Sequence, residues 1–202
     1  MSEYKGIKGF QVQTRTEDPV PFAQAIADNP YAGAWGSGGS LNTARQLLAG
    51  AGTVSAGLAV GGQVPPIKGE TEEYNGSAWS EVADLATARA GLGLSGTSTA
   101  AIAATGDIGT GYSSAVESWN GSSWTEVAEY NNNKSSRGTA GQSGTAGIVF
   151  GGITPAGGDG DYTESWNGSS WTELGDLNAS RYNLATNAGT QTSALGVGGQ
   201  FP

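Results

Sequence analysis

The segment Glu117-Ser118-Trp119-Asn120-Gly121-Ser122-Ser123-Trp124 recurs as Glu164-Ser165-Trp166-Asn167-Gly168-Ser169-Ser170-Trp171. A looser copy precedes both, Glu72-Glu73-Tyr74-Asn75-Gly76-Ser77-Ala78-Trp79. The closing Trp falls at Trp79, Trp124 and Trp171, a period of about 45 residues, and Trp35 stands one period earlier. A fixed period of this length is the signature of stacked supersecondary units, none of which buries its apolar face alone.

Three further series run in phase with the first. Arg45, Arg89, Arg137 and Arg181 form one, and three of them close a Leu-x-x-x-Arg pattern from Leu41, Leu85 and Leu177. A Gly-Thr pair follows each Arg, at Gly52-Thr53, Gly96-Thr97, Gly144-Thr145 and Gly189-Thr190. An apolar run then ends at Gly61-Gly62, Thr105-Gly106, Gly151-Gly152 and Gly198-Gly199. The Thr at 105 departs from the Gly-Gly pattern and singles out that turn.

Each unit reads as four short strands. The first follows Arg (46 to 51 in the first copy), and the second ends at the glycine pair. The third lies around 70 to 74, and the fourth carries Trp. The intervening Asn-Gly predicts a type I′ hairpin turn with positive φ at both central residues. A four-stranded antiparallel unit of this length has the size of a β-propeller blade. Small residues let strands approach closely, and Trp supplies bulk between units. The expected fold is all-β: a small β-propeller of about four four-stranded blades.

The order of apolar strand, Gly-Gly, variable loop, Glu-x-Tyr or Glu-x-Trp, short turn and Trp resembles the kelch repeat over residues 35 to 202. Leu41-Asn42-Thr43-Ala44-Arg45 and Tyr74-Asn75-Gly76-Ser77-Ala78-Trp79 are similar to kelch-like repeats in structural proteins of tailed, marine-type bacteriophages. The opening Tyr4-Lys5-Gly6-Ile7-Lys8-Gly9-Phe10 resembles the start of such proteins. The resemblance implies a non-enzymatic virion protein, decorating the capsid or forming part of a tail fibre. Its partners would be other virion proteins and further copies of itself. The alternative is a module that binds a glycan on a host surface.

The units divide at about 41–83, 84–127, 128–175 and 176–202. The last holds only two strands, whereas residues 1–33 form an arm or closing segment ahead of Trp35. Joining the two ends in one composite blade is the simplest closure, with 9–16 as the missing third strand because Phe10 and Val12 alternate with Gln11 and Gln13. Exchange of these strands between protomers is the rival. Residues 18–29 suggest a short helical turn after Pro19 and Pro21.

Charge and residue types narrow the function. The net charge is -9 with 9 basic against 18 acidic residues, so no basic stripe awaits a nucleic-acid backbone. Cys and His are both absent, which removes thiol nucleophiles, Ser-His-Asp triads and Cys/His metal sites. It also removes the copper chemistry of kelch-type oxidases. No cofactor, membrane insertion or secretion signal is expected, and the resemblance to phage proteins implies the virion as the place of action.

Four sets of residues are candidates. Tyr74, Trp119 and Trp166 stack on sugars if exposed and pack between blades if buried. The four Arg residues either grip an anion or bridge to Glu72, Glu117 and Glu164, or to strand-end carbonyls, in the next blade. Repetition favours the bridging role. Asp159 and Asp161 hint at a cation loop without the oxygens a hard cation needs. Asn75, Asn120, Asn167 and Asn178 match the N-glycosylation pattern, and turn chemistry explains the first three without a glycan.

Overall fold

A computed structural model describes residues 38–132, 135, 138–154, 160–184 and 189–200. The chain divides into two units, residues 1–37 and 38–202. The second is all-β, and no helix occurs among the described residues. The arm, Trp35, the proposed strand at 9–16, the helical turn at 18–29, Arg137 and Asp159 lie outside the described residues.

Three sheets are complete, four-stranded and antiparallel. The first comprises β1 (Ala49–Thr53), β2 (Ala56–Gln63), β3 (Ile67–Tyr74) and β4 (Trp79–Glu81) in sequence order. The second comprises β5 (Gly93–Gly96), β6 (Ala101–Asp107), β7 (Tyr112–Trp119) and β8 (Trp124–Val127). The third comprises β9 (Gly138–Ser143), β10 (Ala146–Phe150), β11 (Thr163–Trp166) and β12 (Trp171–Glu173). The first strand begins later than its sequence suggests: Gln46 makes only an isolated bridge to Gln63.

The fourth repeat supplies two short ladders. They are β13 (Tyr182–Leu184) with β16 (Gly198–Gln200), and β14 (Gly189–Thr190) with β15 (Ser193–Ala194). Among the described residues they correspond to the first two strands of a sheet.

Apolar side chains pack between successive repeats. Leu58 and Val60 of the first meet Leu92, Leu94 and Trp119 of the second. Ile102 and Val116 of the second meet Val149, Trp166 and Trp171 of the third. Ile148 and Phe150 meet Leu184 of the fourth. Burying one such side chain stabilises by about 1.5–3 kcal/mol, so these contacts hold successive repeats together.

The Asn-Gly turns differ from expectation. The pairings Tyr74↔Trp79, Trp119↔Trp124 and Trp166↔Trp171 enclose four-residue loops. Only the glycines adopt left-handed φ, as at Gly121 (93°), and the asparagines do not. The reason is side-chain capping. Asn120 Oδ1 accepts from both Ser122 N–H and Ser123 N–H at 2.9 Å, and Asn75 and Asn167 repeat the pattern.

One register in the third repeat also shifts. Gly52, Gly96, Gly141 and Gly189 share left-handed φ at the end of the first strand. Gly144-Thr145 instead forms the turn that β9 and β10 enclose, because their ladder slips between Ala146 and Ile148. The counterpart of Gly52 is therefore Gly141.

Candidate functional site

The repeated Arg and Glu meet in one device that is structural in its geometry. Arg45 Nη1 contacts Glu72 Oε1, and Arg89 Nη2 donates to Glu117 Oε1 at 2.7 Å. All four side chains are almost wholly buried. The sequence predicts these partners in the next blade; the structure instead pairs each Arg with the Glu of its own repeat. The Arg precedes the first strand, the Glu sits on the third, and the guanidinium spans the second beneath them. Arg45 Nε donates to Gly61 O at 2.8 Å, and Arg89 Nη1 donates to Thr105 O at 3.3 Å.

The carboxylate has a second task. Glu72 accepts from Asn42 N–H at 2.7 Å and Thr43 N–H at 3.4 Å, and Glu117 accepts from Ala86 N–H at 2.8 Å and Thr87 N–H at 3.5 Å. Each Glu thereby fastens the loop that carries its Arg. Burial works to raise the Glu72 carboxyl, but the Asn42 and Thr43 amides and the Arg45 cation outweigh it and leave it lowered. Burial lowers the Arg89 guanidinium, and Glu117 offsets part of that.

The third repeat varies the theme. Glu164 accepts from Asn131 Nδ2 at 2.6 Å and Asn132 Nδ2 at 3.1 Å. Ser135 bridges Ile153 as Gln46 bridges Gln63 and Ala90 bridges Asp107. Counting back from these bridges, the sequence holds Arg45, Arg89 and Lys134 at the preceding position, and Tyr130 where Leu41 and Leu85 stand. Arg137 comes two residues after Ser135. In the fourth repeat Arg181 Nη1 donates to Gly198 O at 3.1 Å.

The aromatic residues split into two sets. Trp119 and Trp166 are each 1% exposed and take the packed role, not the stacking one. Their indole N–H groups bond Ser98 O at 2.8 Å and Gly144 O at 3.1 Å, fastening the inner hairpin turn of their own repeat. Trp79, Trp124 and Trp171 reach back to earlier chain, to Gly39 O, Thr71 Oγ1 and Ala128 O. Gly39 and Ala128 each lie four residues after a Trp of the series, Trp35 and Trp124. Tyr74 packs against Trp79 with ring centres 5.1 Å apart, and both rings stay half-exposed.

Gly50, Ala51, Gly52, Gly96, Gly141, Gln142 and Gly189 surround a cavity of about 270 Å³. The first strands of all four repeats thus contribute to one space. The described residues lining it are Gly, Ala and Gln, which carry no charge and supply no acid–base pair. Sequence alignment alone misses this set, because Gly141 is out of step with the Gly-Thr pairs. Asp161 is described without Asp159, and no cluster of three or more acidic or other metal-ligating residues occurs among the described residues.

No protein-family model matches the chain, and no curated protein matches it significantly.

Proposed function

We propose that this chain is a non-enzymatic structural protein of a bacteriophage virion, in the capsid decoration or a tail fibre. It is read as a small kelch-like β-propeller of four blades that works by holding partners. The repeat motifs support that reading, as do the in-phase Arg–Glu locks and the cavity shared by all four repeats. The conspicuous charged and aromatic residues are engaged in packing, which suits a scaffold better than a catalyst.

One observation carries the assembly role. Leu195 and Val197 occupy the positions of Leu58 and Val60, counting back from Gly198 and Gly61. Leu58 and Val60 are 1% and 0% exposed, whereas Leu195 and Val197 are 67% and 54% exposed. Leu58 and Val60 pack against Leu92, Leu94 and Trp119 of the following repeat, whereas no described sheet follows the fourth repeat, and no described strand lies beside β15 and β16 as β3 lies beside β2. An uncovered edge without charge or proline invites a further strand. The segment before Gly38 is the proposed supplier, since Trp35 is in step with the other closing Trp residues.

Mass spectrometry of purified virions tests the reading. Stoichiometric copies of this chain in the particle are expected, and a chain found only in the lysate overturns it. A cryo-EM map of that particle then shows whether the closing strand comes from the same chain or from a second copy.

A further inference from the structure

The turns β1–β2 and β3–β4 of an antiparallel meander emerge at the same end of the sheet, and each repeat places its turns together. A Cβ on Gly76 would stand 3.3 Å from Ser55 O, and one on Gly121 would stand 3.2 Å from Thr99 O. Successive repeats join at this end too. A Cβ on Gly144 would lie 3.1 Å from the Ala100 carbonyl carbon, and Gln191 Nε2 donates to Trp166 O. The turns of all four repeats therefore share one end of the unit, where the first strands surround the glycine-lined cavity.

Among the described residues, the turns at that end carry no charge. The turns at 54–55, 75–78, 97–100, 120–123, 144–145, 167–170 and 191–192 consist of Ser, Thr, Asn, Gly, Ala and Gln with one Val. Lys68, Glu70 and Asp107 lie toward the opposite end, on the β2–β3 and β6–β7 side. The described turn loops are thus uncharged and dense in hydroxyl and amide groups, with Glu73, Glu81, Glu126 and Glu173 set back behind one or two intervening residues along the strands, in a protein of net charge -9. At the edge of these turns stands the half-exposed Tyr74–Trp79 pair, flanking the loop 75–78. Val54, in the adjoining turn, is 96% exposed.

We propose that this uncharged turn face, with the Tyr74–Trp79 pair at its edge, is a binding surface for a neutral glycan. Sugar hydroxyls need many weak neutral donors and acceptors, and an amphipathic aromatic suits the C–H face of a pyranose. A charged group here would be stripped of water without a compensating partner, so its absence favours an uncharged ligand. The acidic remainder of the protein repels anionic glycans. The proposal is independent of the virion reading.

The test uses the purified full chain and calorimetric titration with uncharged oligosaccharides of glucose, galactose, mannose and N-acetylglucosamine. At least one is expected to bind, with an affinity unchanged between about 0.05 and 0.5 M NaCl, because no ion pair is screened. Val54→Asp and Ser77→Asp, both on exposed turn positions, are expected to weaken binding at least roughly tenfold, an energetic change of about 1.4 kcal/mol. Their unfolding temperatures should stay at the wild-type value. Asp176→Asn, away from this face, should bind as wild type. Failure of every oligosaccharide to bind overturns the proposal, as does a salt-sensitive affinity or undiminished binding by both Asp variants. The assay does not depend on whether virions contain the chain.

Discussion

Arg89 Nη2 donates to Glu117 Oε1 at 2.7 Å with both side chains withdrawn from solvent, and Glu117 also holds the Ala86 and Thr87 amides. The pair closes a loop onto the third strand across the second. Removing the cation leaves a buried carboxylate without its counterion, which costs about 3–5 kcal/mol. Arg89→Met is therefore expected to lower the urea midpoint sharply. The double variant Arg89→Met, Glu117→Leu should recover part of the loss, since no orphan charge remains. A single variant within about 0.5 kcal/mol of wild type would contradict the role assigned to the pair.

Acid should undo the equivalent lock in the first repeat. The Glu72 carboxyl lies below its ordinary value of 4.5 in the folded protein. The native state thus holds this proton more weakly than the unfolded chain does. Its contribution is present above the unfolded value and is lost as pH falls through the folded one. Stability measured from pH 6 down to about 3 should fall, and Glu72→Gln should flatten the slope at the acid end. An unchanged slope in the variant would remove Glu72 from the account.

Backbone strain gives a third expectation. Gly61, Thr105, Gly151 and Gly198 share a left-handed φ, at 63°, 64°, 68° and 71°. A Cβ on Gly61 would fall 2.4 Å from Arg89 O, so the next repeat's backbone would have to shift. Gly61→Ala is expected to cost more than about 2 kcal/mol, combining the left-handed penalty with that clash. Thr105 already bears a side chain at the matching place. Thr105→Gly should change stability by less than about 1 kcal/mol, because relief of φ strain offsets lost packing. Chemical denaturation of the two variants compares them directly.

The open edge of the fourth repeat can be weighed against a covered one. Leu58→Ala should cost about 2–5 kcal/mol, as for any large-to-small change in a packed core. Leu195→Ala in the full chain should cost about 2 kcal/mol if a strand covers the edge, as proposed. A cost under about 0.5 kcal/mol is what a bare surface leucine would show, and it would count against closure. Hydrogen exchange at 193–200 provides the matching readout, with slow exchange expected for a paired strand.

The period of the repeat was legible because covalent spacing survives folding. Trp79, Trp124 and Trp171 must recur at near-constant intervals if each unit contributes one sheet. Alternating apolar runs and glycine pairs likewise announced the second strands, which run from residue 56, residue 101 and residue 146. The turns were less legible. Asn-Gly suggested a two-residue hairpin, whereas the Asn side chains accept two amides apiece and stabilise four-residue loops. Whether Trp119 faced solvent could not be read from its neighbours, because burial depends on the sheet that packs against it.

Local pattern thus determined where the repeated strands fall along this chain and which residue types line each of them, since propensity and periodicity act within a few residues. The tertiary structure alone decided that Arg89 and Glu117 join within one repeat, that Gly141 and not Gly144 aligns with Gly52, and that Leu195 lies bare where Leu58 is covered. These outcomes are set by contacts between segments far apart in the chain, where a one-residue slip or a missing neighbouring strand changes exposure without altering the sequence motif.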